Sequence, residues 1–209
     1  MKILVTGFDP FGGQSVNPAY EAVRLLPEQI LGADILKACI PTVFGQGADL
    51  LEGLLTQHQP DAVLLVGQAG GRAVISVERV AINVQDASIA DNAGNTPVDH
   101  PVVAGGPDAY FATLPIKKIV KHVQDAGIPC RVSDSAGTFV CNDLMYRLLH
   151  WIRTHEFKTL GGFIHVPYLP AQAASLPGQA PSMSLEMIVS ALTLAVEEII
   201  TSFDTSATL

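Results

Sequence analysis

Asp61-Ala62-Val63-Leu64-Leu65-Val66 is the stretch on which the fold turns. After Asp61 its residues are uniformly apolar, with no polar position at a period of two or of 3.6. A run this short and without a wet face reads as a strand buried on both sides. Strands of that kind belong to sheets with helices packed on both faces. Outward from it, Lys2–Thr6, Ile35–Ile40, Cys130–Ser133 and Phe163–Val166 read as further short strands, the second stopped by Pro41. Helical patterns alternate with them. Asn17 can cap a helix that has Pro18 in its first position and runs to about Leu26. Others cover Gly47–Gln57, the part of Ala109–Ala126 that follows Pro115, the apolar spacing of Leu144 to Ile152, and Ser184–Ser202. This alternation predicts an α/β fold with a mostly parallel central sheet. Val74–Val84 is long, alternates and is followed by no helix, so it is expected as an added hairpin or antiparallel strand. Asp86–Gly106 is rich in Asp, Asn, Gly and Pro and reads as a long functional loop. One domain over 1–209 is expected, with a frayed tail from about 204 to 209.

The bulk properties exclude several classes. Of 209 residues, 48% are hydrophobic and 15% charged, a balance that suits a compact core and not long disorder. The formal net charge is -8, so no basic surface is available to displace counterions from nucleic acid. Lys117, Lys118 and Lys121, the densest basic group, read as a solvated helix face. Cys39, Cys130 and Cys141 are too few for a disulfide framework, and neither they nor the histidines have metal-ligand spacing. No apolar run suggests a leader or a membrane span, and the cytoplasm is the expected compartment.

In open α/β sheets ligands sit beyond the carboxyl ends of the strands. The segments that follow strands here include Gly7–Gly13, Pro41–Gly45, Gly67–Gly71, Ser133–Cys141 and His165–Pro170. Cys141 shares a helical face with Met145 and Leu148, which suits a small core residue. However, Thr138 reads as an N-cap, which sets Cys141 in a first helical turn. Free N–H groups and the helix dipole there favour a thiolate and could hold an oxyanion. His165 closes the run Phe163-Ile164 at a strand end on the same side of the sheet, and thiol plus imidazole is the minimal unit for attack on an amide. Glu78 shares a strand face with Val80, Ile82 and Val84, so it either reaches solvent or pairs with an imidazole N–H. Cys39 and Cys130 lie in apolar strands and read as core. Gly7-Phe8-Asp9-Pro10-Phe11-Gly12-Gly13 lacks the spacing of a phosphate loop, and its two phenylalanines either wall a site for a flat neutral ring or pack down on the core.

Four blocks together resemble the type I pyroglutamyl peptidases. They are Thr6–Gly13 with Asn17-Pro18, Gly67–Arg72 with Val77–Asn83, Ser133 with Ala136–Asn142, and Phe163–Pro170. The resemblance implies an α/β/α sandwich, a Glu78–Cys141–His165 triad and no metal or organic cofactor. It implies a pyroglutamyl pocket at Phe8, Phe11, Thr42, Ile89, Phe139 and Val140, with Asn17 and Gln68 beside it. The partners implied are peptides with an N-terminal pyroglutamate and further copies of the chain in a homotetramer, with neither nucleic acid nor membrane. One stretch departs from the family pattern. Ser88 and Ala90 stand where the family commonly has arginine and proline, which removes a fixed cation and frees the loop backbone. An amidohydrolase for a different cyclic or acyl-blocked amine, and a non-catalytic binding protein, are the competing expectations.

Overall fold

The computed structural model describes residues 1–206, with side chains as far as 203; of the tail expected over 204–209, residues 204–206 continue the last helix and 207–209 lie outside the described residues. The strands are β1 (Lys2–Phe8), β2 (Gln29–Ile30), β3 (Ala33–Ile40), β4 (Ala62–Gln68), β5 (Ile75–Glu78), β6 (Val80–Ile82), β7 (Ala109–Phe111), β8 (Cys130–Ser133) and β9 (Leu160–Val166). The helices are α1 (Pro18–Leu25), α2 (Gln46–His58), α3 (Ile116–Asp125), α4 (Val140–Thr154), α5 (Pro170–Ser175) and α6 (Leu185–Ser206). Seven strands form one sheet in the order β2-β3-β1-β4-β9-β5-β8. Its middle, β3-β1-β4-β9, is parallel throughout. The β5–β9 contact is antiparallel and β5–β8 parallel.

The opening stretch forms the heart of this sheet. Residues 62–66 are all fully buried, as a strand covered on both faces requires. Leu64 and Val66 face α1, α3 and α6, while Val63 and Leu65 face α2 and α4. The result is the expected three-layer α/β arrangement. Asn17 caps α1 by accepting a 3.1 Å bond from the Ala19 amide, and Pro18 opens the helix. The helix lies so close to β1 that a Cβ at Gly7 would fall 2.6 Å from the Tyr20 backbone.

Val74–Val84 is not one continuous strand. The chain breaks at Arg79: β5 joins the main sheet, and β6 pairs antiparallel with β7 in a separate two-stranded sheet. The halves differ in burial: β5 is buried on both faces, whereas β6 fully buries only Ala81. Only the partner strands show that the halves belong to different sheets.

Candidate active site

Ser76 and His165 are directly opposite in the antiparallel β5–β9 pair, so their side chains leave the sheet on the same face. Glu78, two residues along β5, shares that face. The outcome is a 2.7 Å contact between His165 Nδ1 and Glu78 Oε1. Both side chains are buried. Of the two states left open for Glu78, the imidazole partner is the one observed. Its expected face-mates Val80, Ile82 and Val84 are not its neighbours, because β5 ends at Glu78. Arg72, in the turn after β4, donates to the same oxygen at 2.8 Å. Its other contacts, with Ser133 Oγ and the Ser135 carbonyl, are longer, at 3.5 Å each. Arg79 turns away to Asp134, at 2.7 Å.

Cys141 is the second residue of α4. The N-cap is Phe139 and not Thr138, whose hydroxyl instead donates to the Asp86 carbonyl at 2.7 Å. The helix start is therefore one residue later than expected, with Cys141 still in the first turn. Its sulfur rests on Gly67: a Cβ there would lie 3.0 Å from Cys141 Sγ and 2.7 Å from the Phe163 ring. Gly67 is the register partner of His165 across the parallel β4–β9 pair. Adjacent strands are about 4.8 Å apart. Thiol and imidazole thus stand at one level, on one face, over neighbouring strands. Glycine at 67 leaves the room for the sulfur.

The electrostatics follow from burial and these contacts. Burial pushes the Glu78 carboxyl up, but the hydrogen bond and charge of His165, with the nearby Ser133 and Arg72, outweigh it and hold the pKa below the usual carboxylate value. Burial pushes His165 down, offset only in part by Glu78 and reinforced by Arg72. Burial, and then the charge of Glu78, push the Cys141 thiol up to about 12, against smaller opposing effects of Arg72 and the Cys141 amide. At the helix terminus, where a thiolate is expected, burial and the Glu78 charge oppose the helix end. Burial shifts both the thiol and the imidazole toward their neutral forms. With Nδ1–H turned to the carboxylate, the free lone pair of the imidazole is on Nε2.

Beyond the strand ends, the Phe11 and Phe139 rings lie 6.3 Å apart, and Phe44 meets Phe139 edge-on at 5.3 Å. All three are partly exposed. Phe44 is absent from the residues expected at the site, although its segment, Pro41–Gly45, is one that follows a strand. The available signal was an aromatic side chain in a post-strand loop. Phe8 closes β1 and is buried, its ring 6.3 Å from Phe163, which packs on His165 at 4.7 Å. The two loop phenylalanines are thus divided, one beneath the site and one beside it. Val140 is buried in α4, and Ile89 is exposed on the long loop. Asn17, besides capping α1, and Thr42 both bond to Asp9. The Asn17 amide donates to the Asp9 carbonyl at 2.9 Å, and the Thr42 amide and hydroxyl donate to its carboxylate at 2.7 Å each. Gln68 accepts a 2.9 Å bond from buried Gln172 of α5. Among the described residues, no group of three or more His, Cys, Asp or Glu could hold a metal ion.

A family model for pyroglutamyl peptidase matches residues 1–202. The chain is 58% identical over 196 residues to pyrrolidone-carboxylate peptidase 1 of Ralstonia nicotianae, covering 93% of this chain and 91% of the relative. It is 53% identical over 203 residues to the pyrrolidone-carboxylate peptidase of Treponema denticola, covering 96% and 94%. Its fold is similar to the crystal structure of pyroglutamyl peptidase I from Bacillus amyloliquefaciens, with a TM-score of 0.90 and 49% identity over 95% of this chain and 96% of that one. A mutant pyrrolidone carboxyl peptidase from Pyrococcus furiosus superposes with a TM-score of 0.93 at 43% identity, covering 97% and 99%. On the match of the family model along nearly its whole length, this chain belongs to the pyroglutamyl peptidase family.

Proposed function

We infer that this chain is an exo-type cysteine peptidase that removes N-terminal pyroglutamyl residues from peptides. The observation that carries the reading is the 2.7 Å Glu78–His165 contact on the sheet face where the Cys141 sulfur rests against Gly67. Cys141 is the nucleophile, His165 the base and Glu78 the group that orients the imidazole and stabilises the imidazolium.

The reaction is acyl transfer. As the Cys141 sulfur bonds to the carbonyl carbon that follows the lactam ring, the thiol proton passes to His165 Nε2. First-turn amides of α4, which have no acceptor within the helix, face the developing oxyanion. The C–N bond then breaks, and His165 returns the proton to the leaving amine. Water, giving a proton to His165, hydrolyses the thioester and restores the thiol. A pair shifted toward its neutral forms suits this sequence, since the base must be unprotonated before attack.

Phe11, Phe139 and Val140, with Phe8 beneath, buried Thr42 and Asn17 behind and Ile89 and Gln68 at the rim, are read as the pocket for the ring. An apolar pocket accepts an uncharged lactam and rejects the ammonium of a free glutamyl or glutaminyl N-terminus, whose burial costs several kcal/mol, roughly. The working protein is read as one peptidase domain over 1–209, without cofactor, in a cytoplasmic homotetramer. No described helix is long and apolar enough to cross a membrane. The test is turnover of a pyroglutamyl amide beside the matching prolyl amide. Cys141→Ser should abolish turnover, and the prolyl compound should be inert; full activity of the serine variant would remove Cys141 from its role.

A further inference from the structure

Glu78 Oε1 serves two donors at once, His165 Nδ1 at 2.7 Å and Arg72 Nη1 at 2.8 Å. The carboxylate is buried, whereas the guanidinium is 26% exposed and reaches it from the turn after β4. We propose that Arg72 is a positioning residue of this site: by dividing Glu78 Oε1 with the imidazole, it keeps His165 neutral and ready to take the thiol proton at lower pH than a carboxylate–imidazole pair would alone. The role rests on the peptidase reading given above.

A lone buried carboxylate beside an imidazole favours the imidazolium, which cannot act as a base. A second cation on the same oxygen lowers that preference. It also lets Glu78 stay ionised in a dry setting, since a buried carboxylate needs partners. Arg72 is suited to this because it is always charged and presents several donors from a rigid plane. Its remaining contacts with Ser133 Oγ and the Ser135 carbonyl hold that plane against β8 and the turn leading to α4.

Among the described residues, the charged groups that act on the imidazole are Glu78 from β5 and Arg72 from the turn; the Cys141 thiol from α4 stands over the neighbouring strand at Gly67, and β8 supplies the uncharged Ser133. Arg79 is engaged by Asp134 and does not compete for Glu78. The same Arg72 charge opposes the rise of the thiol and adds to the fall of the imidazole, so it acts on both members of the pair.

The test needs no turnover in its first arm. The His165 ring is titrated by NMR in the resting protein, in wild type, Arg72→Gln and Arg72→Lys. Loss of the cation should raise the midpoint by about half a unit to one unit, and lysine should restore most of the difference. In the second arm, the acid limb of kcat/KM for an uncharged pyroglutamyl amide should move up by the same amount in Arg72→Gln. Should glutamine at 72 not fold, Arg72→Met keeps the aliphatic stem and carries the same expectation. An unmoved midpoint, or a rate that falls equally at every pH, would overturn the proposal. A shifted midpoint in a protein without turnover on pyroglutamyl amides would instead remove the peptidase reading and leave the electrostatic role of Arg72 standing.

Discussion

Glu78 and Asp91 are both buried carboxylates with pKa values held below the ordinary range, yet their surroundings differ in kind. Asp91 sits in the long loop and accepts from the amides of Phe44, Ala93 and Asn95 and from the Asn95 side chain, all between 2.8 and 2.9 Å. Every one of those donors is fixed and none can lose its proton. Glu78 is bonded instead to a titratable imidazole and a guanidinium, both on Oε1. A carboxylate satisfied by backbone amides pins a loop. One satisfied by an ionisable side chain can change its bonding as protons move. The contrast separates a structural carboxylate from one placed for chemistry, where burial and pKa direction alone do not.

Four measurements would break or sharpen that contrast. The largest effect is expected at the chemical end. Glu78→Gln keeps the shape of the side chain but cannot stabilise an imidazolium, and kcat should fall by about 10²–10⁴-fold. Its thermal midpoint should also fall, since one end of the amide takes the buried place of Oε2, which has no partner, and Arg72 loses its counter-charge. A variant that keeps most of its activity would dissolve the distinction.

Asp91→Ala should show a different profile. Four donors lose their acceptor in a nearly buried place, at a cost of about 2–4 kcal/mol in urea unfolding. Amide exchange should quicken across residues 91–95 and at Phe44, and the chemistry should survive at low temperature.

The pH dependence separates the same groups by window. His165 has a folded-state pKa below its unfolded value, so the unfolded chain binds the extra proton first. The stability it contributes is complete above about pH 6.5 and is lost as the pH falls below that. Asp91 is also depressed, but its contribution is complete above about pH 3.9 and is lost only below it, as the pH falls through the folded value. Unfolding free energy measured from pH 7 to 3 should therefore lose part of its first slope in His165→Gln and part of its second in Asp91→Asn. Identical curves in the two variants would contradict the assignment.

The smallest effect concerns the rim. Gln172 receives the Leu169 amide on Oε1 at 3.0 Å, so its Nε2 must be the donor to Gln68 Oε1. That leaves the Gln68 amide nitrogen as the free donor. Gln172→Met should let Gln68 rotate and raise KM for a pyroglutamyl amide by about 3–10-fold, with kcat nearly unchanged, a loss of about one hydrogen bond. A change confined to kcat would place Gln172 elsewhere in the mechanism.

Much of this was legible in the residues. The run from Ala62 to Val66 called for a strand with helices on both sides, because five apolar side chains in a row cannot leave a wet face. Cys141 at a helix start and His165 near a strand end followed from local signals, Gly137 and Thr138 before the helix and Pro167 after the strand. The state of those groups did not follow. A first-turn cysteine argues for a thiolate, whereas the burial of Cys141 and the nearby Glu78 charge, which push the thiol up, are visible only in the fold. The break at Arg79 was hidden for a related reason. Alternation reports that one face is covered, but not by which sheet.

The sequence by itself determined the layers, the strand-end placement of the reactive groups and, through its four blocks, the family, since these depend on local periodicity, capping and residue identity. Only the tertiary structure decided that Glu78 meets His165, that Arg72 shares its oxygen, that Phe44 joins Phe11 and Phe139, and that Gly67 makes room for the sulfur. Each of these is a contact between elements far apart in the chain. Strand order and register set such contacts, and they are properties of the whole sheet that no single segment encodes.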